Sequence, residues 1–356
     1  MPKAGKALRD FLGELTVPLL AIVAGLLVGV IFILIAGKNP IAAYGALLES
    51  VIGAPHKVGE TLVSTVPLIF SGLAIALAFR CGLFNIGVEG QLMVGSLATA
   101  WAGVVFGGLP WYLLMPLCIL FGVVTGAAWA GISGLLKAYR GVHEVINSIM
   151  LNYTALFLTH YLMTEHFRDA TGKAGSPPMA EAALFAQGLI PGSRLHAGLF
   201  LALFVAFLAW VFLWKTPWGY EIRAVGFAPG AAEYGGISVK WNIVLAMLIS
   251  GALAGMAGAV QTMAISGKFP DQSSFSGYGL DGIAVALVGR NHPGGVVLAA
   301  LLFAALDYGG RNMQAVAEVP KAVIMVVQGA IIFFVAAEGI WRMMKNRKPK
   351  AEVKTA

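Results

Sequence analysis

The residues of this chain with the most chemical potential are gathered in Cys81 to Gln91, CGLFNIGVEGQ, which combines three glycines with the carboxylate of Glu89 and the amides of Asn85 and Gln91. An ionised carboxylate facing lipid costs about 2.5 kcal/mol or more, so such groups face a cavity, water or a partner. Two placements are open. If the neighbouring apolar segment begins near Leu92, this stretch is a cytoplasmic turn with a solvated Glu89. If it begins near Ile86, then Asn85, Glu89 and Gln91 lie inside the membrane as a broken helix. Leu92 to Gly108 is just long enough to cross, so periodicity leaves both standing. A second polar-laced stretch, Gly141 to Tyr153, carries Asn147, Asn152 and Tyr153. The two asparagines are too far apart around a helix to share one face closely. They either line a passage or form interhelical hydrogen bonds of about 0.6–2 kcal/mol. The sequon Asn152-Tyr-Thr154 lies inside an apolar segment and is not a glycosylation site.

Bond-making chemistry has no signature here. The six histidines form no HExxH or comparable ligand set. Gly53 to Glu60, GAPHKVGE, resembles a phosphate loop only superficially, because no Lys-Ser/Thr pair follows its second glycine. Cys81 and Cys118 have no CxxC partner, which argues against a disulfide framework or a thiolate metal site. No Ser-His-acid arrangement can be read from the spacing. The expectation is a chain that binds no cofactor and is not an enzyme.

The elements that would position these residues are membrane spans. With 58% hydrophobic and 12% charged residues, the class is an all-α polytopic membrane protein. Ten apolar segments appear, at about 17–36, 61–79, 86–106, 112–136, 144–163, 197–214, 243–265, 277–289, 294–310 and 321–341. The first follows Lys3, Lys6 and Arg9 and is too long for a signal-peptide core, so it reads as an uncleaved span. The eighth is short, about 20 Å at 1.5 Å per residue. Ten crossings with the N-terminus inside put 16 of the 24 Lys and Arg on the cytoplasmic side. A re-entrant eighth segment would put the basic C-terminal tail outside, against the positive-inside tendency. The expectation is therefore a single transmembrane domain over 1–356, with a short cytoplasmic N-terminus 1–16 and a basic cytoplasmic tail 342–356. The net charge of +7 sits in short loops and at the ends, which is not a nucleic-acid footprint.

Small residues at four-residue spacing, Gly25/Gly29, Gly122/Gly126 and Gly251/Gly255 with Gly258, mark faces for close helix packing. A repeat also stands out: Gly72 to Arg80 and Gly282 to Arg290 share GxAxALxxR, and ten crossings make both copies run inward. Paired halves of this kind occur in transporters, whose substrate path lies at the repeat interface. The external stretch Thr164 to His196 is too short for a domain. It is either a surface loop or a landing place for an extracytoplasmic partner.

One interior loop places several charges on the expected cytoplasmic side: Lys215 to Trp241, KTPWGYEIRAVGFAPGAAEYGGISVKW. Its middle, Ala228 to Gly236, reads as a two-turn helix with Pro229 at the first position and Gly235-Gly236 as the stop. So short a helix is unstable alone and must lean on something. An ordinary loop and a docking knob for a soluble partner both fit.

Taken together, FRCGLFNIGVEGQ (Phe79–Gln91), GVHEVINSIMLNY (Gly141–Tyr153), IRAVGFAPGAAEYGGI (Ile222–Ile237) and GIAVALVGRNHPGG (Gly282–Gly295) resemble a bacterial ABC-importer permease of the nucleoside and simple-sugar type, with branched-chain amino-acid permeases as more distant relatives. The resemblance runs through nearly the whole chain. It implies a type II importer fold with broken helices in the bacterial inner membrane. It implies that Ala228 to Ile237 is the coupling helix seated on a cytoplasmic ABC ATPase, which carries the ATP and Mg²⁺. It further implies that Asn85 to Gln91 is a membrane-embedded break near the pathway. The other expected partners are a second, related permease subunit or a second copy, an extracytoplasmic solute-binding lipoprotein, and membrane lipid. On this reading Arg223 and Glu233 assist docking electrostatically, and Ala231, Ala232 and Tyr234 supply the packed contact. A bulky charge at Ala232 is then expected to uncouple transport without unfolding the protein. The competing class is a self-contained secondary carrier, for which Glu89, Asp281 and Asp307 would be the coupling carboxylates.

Overall fold

A computed structural model describes residues 20–171, 174–271 and 274–346. The N-terminus 1–16, and the tail 342–356 apart from 342–346, lie outside the described residues. Every expected apolar segment contains a helix. These are α1 (Leu20–Ile35), α3 (Pro55–Arg80), α4 (Val88–Val105), α5 (Trp111–Arg140) and α6 (Glu144–His166) in the first half. In the second half they are α7 (Gly198–Lys215), α10 (Val239–Gln261), α11 (Tyr278–Val288), α12 (Pro293–Ala317) and α13 (Lys321–Asn346). Among the described residues α3, α5, α7, α12 and α10 with its continuation to Ser266 are long and apolar enough to cross a membrane.

Among the described residues three short α-helices lie in the connections between them. α2 (Pro40–Ile52) is apolar and was not anticipated, since its 13 residues fall short of a crossing. α8 (Pro217–Phe227) and α9 (Pro229–Tyr234) divide the interior loop. Only the second was expected.

The chain forms two compact units, one from the described parts of 1–47 and 310–356, the other from 48–309. In the first, the backbone at Gly25 and Gly29 lies against Ile331 and Val327 of α13, so this small-residue pair does admit a neighbour closely. Tyr44 donates to the Leu26 carbonyl at 2.8 Å, and Lys38 pairs with Glu318 at 2.6 Å.

In the larger unit α3 is the axis, buried continuously from Val66 to Ala78. A helix apolar all round belongs in such a position, and α7, α8, α10 and α11 pack around it. The two other glycine pairs meet each other: a methyl added to Gly126 would lie 2.7 Å from the Gly255 Cα, and one on Gly255 would strike the Gly122 carbonyl. The resulting α5–α10 contact has no room for a side chain. Gly255→Val is expected to cost about 1–3 kcal/mol by overpacking, read as a lowered thermal unfolding midpoint of the purified protein.

The repeat copies also meet. A methyl on Gly72 would come 2.7 Å from Val285, and one on Gly282 would come 2.8 Å from Ser71. Their far ends touch as well, at Arg80 and Arg290. The two segments therefore run parallel, side by side, as the ten-crossing topology required.

Candidate functional site

The chain leaves α3 at Arg80, turns at Gly82 with φ +75°, and folds back along the helix it has just completed. Asn85 reaches Ser250 on α10, whose hydroxyl donates to the Ala74 carbonyl at 2.6 Å. Glu89 reaches Gly279, one turn before the Gly282 that faces Ser71. At 1.5 Å per residue this is about 15 Å back from Arg80, so α4 starts beside the middle of α3. Asn85, Glu89 and Gln91 are 0%, 2% and 2% exposed. The solvated cytoplasmic turn is thereby ruled out in favour of a buried break.

The break is held by saturated hydrogen bonding. Asn85 and Gln91 pair amide to amide, each donating to the other at 3.0 Å. Asn85 also donates to Ser250 at 2.8 Å and accepts from the Gly87 N–H at 3.0 Å. Glu89 accepts from the Ser276 hydroxyl at 2.6 Å, the Gly277 N–H at 2.8 Å and the Gly279 N–H at 2.6 Å. Its carboxylate thus caps the N-terminus of α11 while standing in the first turn of α4. One negative charge meets the positive ends of two helices, the favourable pairing for a helix dipole.

On α6 the structure separates the three candidate residues. Asn152 faces the break, donating to the Ile86 carbonyl at 2.9 Å and accepting from the Gly90 N–H at 2.8 Å. Asn147 points elsewhere, and its Nδ2 is buried with no hydrogen-bond partner. Tyr153 is 49% exposed, with its ring edge-on to Phe275 at 5.3 Å. Ser250, Ser276 and the two glycine N–H groups were missed from sequence. Ser276, just before an apolar run, carries the usual helix-start signal; Ser250 has none that distinguishes it from a packing residue. No group of three or more His, Cys, Asp or Glu that could hold a metal occurs among the described residues.

The interior loop is more structured than expected. Thr216 caps α8 by accepting from the Gly219 N–H at 3.1 Å, with Pro217 at its first position. α9 ends as foreseen: Gly236, φ +82°, lets Ile237 N–H reach the Ala232 carbonyl and Gly236 N–H the Glu233 carbonyl. Pro229, Ala231, Glu233, Tyr234, Gly235 and Gly236 are exposed, while Ala228 and Arg223 are half-buried. Arg223 donates to the Gly219 carbonyl at 3.3 Å. The expectation for Ala232 needs correcting. It is 5% exposed, so its methyl packs inward and a bulky charge there would disrupt the segment itself. The large side chains that the segment does expose are Tyr234 and Phe227, at 97% and 95%. Nothing in the sequence marks Phe227 as exposed.

At the opposite end of the helices, 174–196 is folded down rather than loose. Ser176 and Met179 donate N–H bonds to the carbonyls of Phe269 and Gly267, and Met179 fills the space over Gly103. Arg194 holds Glu60 at 2.7 Å, and this carboxylate raises the Arg194 pKa above the usual guanidinium value. His196 is buried, its Nδ1 accepting from the Gly198 N–H at 3.1 Å, and burial pushes its pKa from 6.5 to about 4. The folded state keeps the ring neutral, whereas the unfolded chain takes up a proton below about pH 6.5. Stability is therefore lost as pH falls from about 6.5 to about 4. Thermal unfolding at a series of pH values should show a shallower acid limb for His196→Gln than for the parent.

The model for the family described as branched-chain amino acid transport system / permease component matches residues 58–336. The guanosine ABC transporter permease protein NupP of Bacillus subtilis is 43% identical over 95% of this chain and 98% of its own. The nucleoside ABC transporter permease protein NupB of Lactococcus lactis is 39% identical over 95% of this chain and 94% of its own. The glucose ABC transporter permease protein TsgB13 of Haloferax volcanii is 35% identical over 89% and 86% respectively. The two bacteria each hold a second, more distant match under the same solute name, NupQ at 30% and NupC at 28% identity. Apolar helices packed through glycine, a buried break and these near-full-length likenesses lead to one conclusion: the chain belongs to the branched-chain amino acid transport system / permease component family, and is a multi-pass ABC-transporter permease, a transport subunit and not an enzyme.

Proposed function

We propose that this permease carries a nucleoside inward through the bacterial cytoplasmic membrane, with both termini on the cytoplasmic side. The observation that carries the reading is the likeness, over nearly the whole chain, to two permeases named for nucleosides in different bacteria. The break supports it. Free helix N-termini in transporters attract anionic solute groups, but here Glu89 already neutralises those of α4 and α11. A passage beside this break offers no fixed positive end to an amino-acid carboxylate and suits an uncharged solute.

In this reading α8 and α9 dock on a cytoplasmic ABC ATPase through Phe227 and Tyr234, with Glu233 at the rim. ATP and Mg²⁺ are bound there, not by this chain. A second, related permease subunit completes the passage, as the paired names in both bacteria suggest. A solute-binding lipoprotein delivers to the ordered 174–196 segment. Asn85, Glu89, Gln91 and Asn152 hold the break in shape, while Tyr153, being exposed beside it, is the residue offered to solute. The simple-sugar reading is kept alive by the glucose permease of Haloferax.

The test is uptake of labelled guanosine, uridine and glucose into liposomes holding the complete complex with ATP inside its ATPase compartment. ATP-dependent nucleoside uptake with no glucose uptake is expected. Glucose uptake alone would hand the assignment to the sugar reading. Accumulation against a gradient by the permease alone would overturn the importer assignment altogether.

A further inference from the structure

α11 is gripped at both ends by residues that border the same break. Glu89 holds its N-terminus, as described above. At the other end Arg80 donates from Nε to the Asn291 carbonyl at 2.8 Å and from Nη2 to the Arg290 carbonyl at 3.2 Å. Cations belong at helix C-termini for the same electrostatic reason that carboxylates belong at N-termini. The turn that receives Arg80 is unusual. Arg290 and Asn291 are consecutive non-glycine residues at φ 53° and 52°, and Asn291 Oδ1 is buried without a hydrogen bond. Backbone of this kind persists only where its surroundings hold it.

The same guanidinium faces the docking segment. Arg80 lies over the Trp214 ring at 5.1 Å, and Arg223 of α8 lies over it at 5.7 Å. The His292 ring, one residue past the turn, lies tilted at 55° against Trp214 with ring centres 5.0 Å apart. Backbone meets backbone beside them: a methyl on Gly226 of α8 would strike the Arg80 carbonyl, and one on Gly82 would lie 3.4 Å from Gly226. Close-packed contacts without slack transmit a displacement instead of absorbing it. We propose that Arg80 and Trp214 are positioning residues through which movement of α8–α9 is delivered to the α11–α12 turn, and along α11 to the Glu89 break. The inference rests on the coupling role proposed for α8–α9. It adds the route and the residues that form it. Lysine cannot replace Arg80, because a single ammonium lacks the fork that spans two carbonyls.

The experiment measures ATP hydrolysis and labelled guanosine uptake on the same proteoliposomes containing the complete complex. Arg80→Ala and Trp214→Ala should assemble with the ATPase and hydrolyse ATP at the parental rate, while solute moved per ATP falls on the order of tenfold, a usual size for coupling between distant sites. Arg80→Lys should behave like Arg80→Ala. Trp214→Phe, which keeps an aromatic face for the two guanidinium groups, should recover most of the ratio. An unchanged ratio in both alanine variants would overturn the proposal, as would hydrolysis and uptake falling in proportion. If Arg80→Ala does not accumulate as folded protein, Trp214→Ala decides. If both fail to fold, the cluster is a packing knot and the proposal falls. ATP-independent uptake by the parental complex would instead defeat the underlying importer assignment, a result distinguishable from all of these.

Discussion

Replacing Phe227 and Tyr234 together by alanine is expected to abolish ATP-driven uptake while leaving the permease as stable as its parent. Phe227 ends α8 and Tyr234 ends α9, and both side chains are almost wholly exposed, so their removal takes nothing from the folded core. Surface substitutions of this kind stay within about 0.5 kcal/mol. In an interface, by contrast, a buried aromatic anchor is worth about 2 kcal/mol or more. Losing two weakens association by roughly several hundredfold or more, since each 1.4 kcal/mol is a factor of ten. The measurement is paired: thermal unfolding of the purified permease, and retention of its ATPase through purification of the complex. A complex that survives the double substitution intact would remove α8–α9 as the docking element. Charge replacement at Glu233, also exposed, should produce a smaller and salt-dependent loss.

Glu89→Ala should have the largest effect on folding. The change strips three donors, the Ser276 hydroxyl and the N–H groups of Gly277 and Gly279, of their acceptor in a buried place. An unsatisfied buried polar group costs about 1–3 kcal/mol each, and bonds to a charged acceptor lie at the upper end. A total of roughly 3 kcal/mol or more is expected, enough to lower the unfolding midpoint by several degrees. Glu89→Gln keeps one acceptor oxygen and brings in an amide that faces N–H donors, so it should fall between. Uptake should follow stability in this series if, as proposed, the residue shapes the break and does not itself carry solute or protons. A Glu89→Ala protein with parental stability but no uptake would make Glu89 a pathway or coupling carboxylate instead.

The ten apolar segments, the two-turn helix ended by Gly235-Gly236, the three glycine pairs and the repeat were all legible in the chain. Each is a local signal: apolar length, a helix stop, a four-residue spacing. What could not be read was the partner of each. Gly122/Gly126 and Gly251/Gly255 announce close packing, but their mutual contact is a tertiary fact. The segment α8 escaped notice because Thr216-Pro217 is a start signal followed by no long apolar run. Ala232 was placed on the docking face because a two-turn helix shows no clear period, and only the packing turned its methyl inward.

The amino-acid order by itself determined that this protein spans a membrane, because apolar length acts over a few residues, and its motifs carried the resemblance to a permease, but periodicity left open whether Asn85 to Gln91 is a cytoplasmic turn or a membrane-embedded break. Tertiary structure alone decided that the break folds back into the protein and that Glu89 caps α11. The carboxylate and its donors lie 187 to 190 residues apart in the chain, and only folding reveals the burial that makes their pairing obligatory.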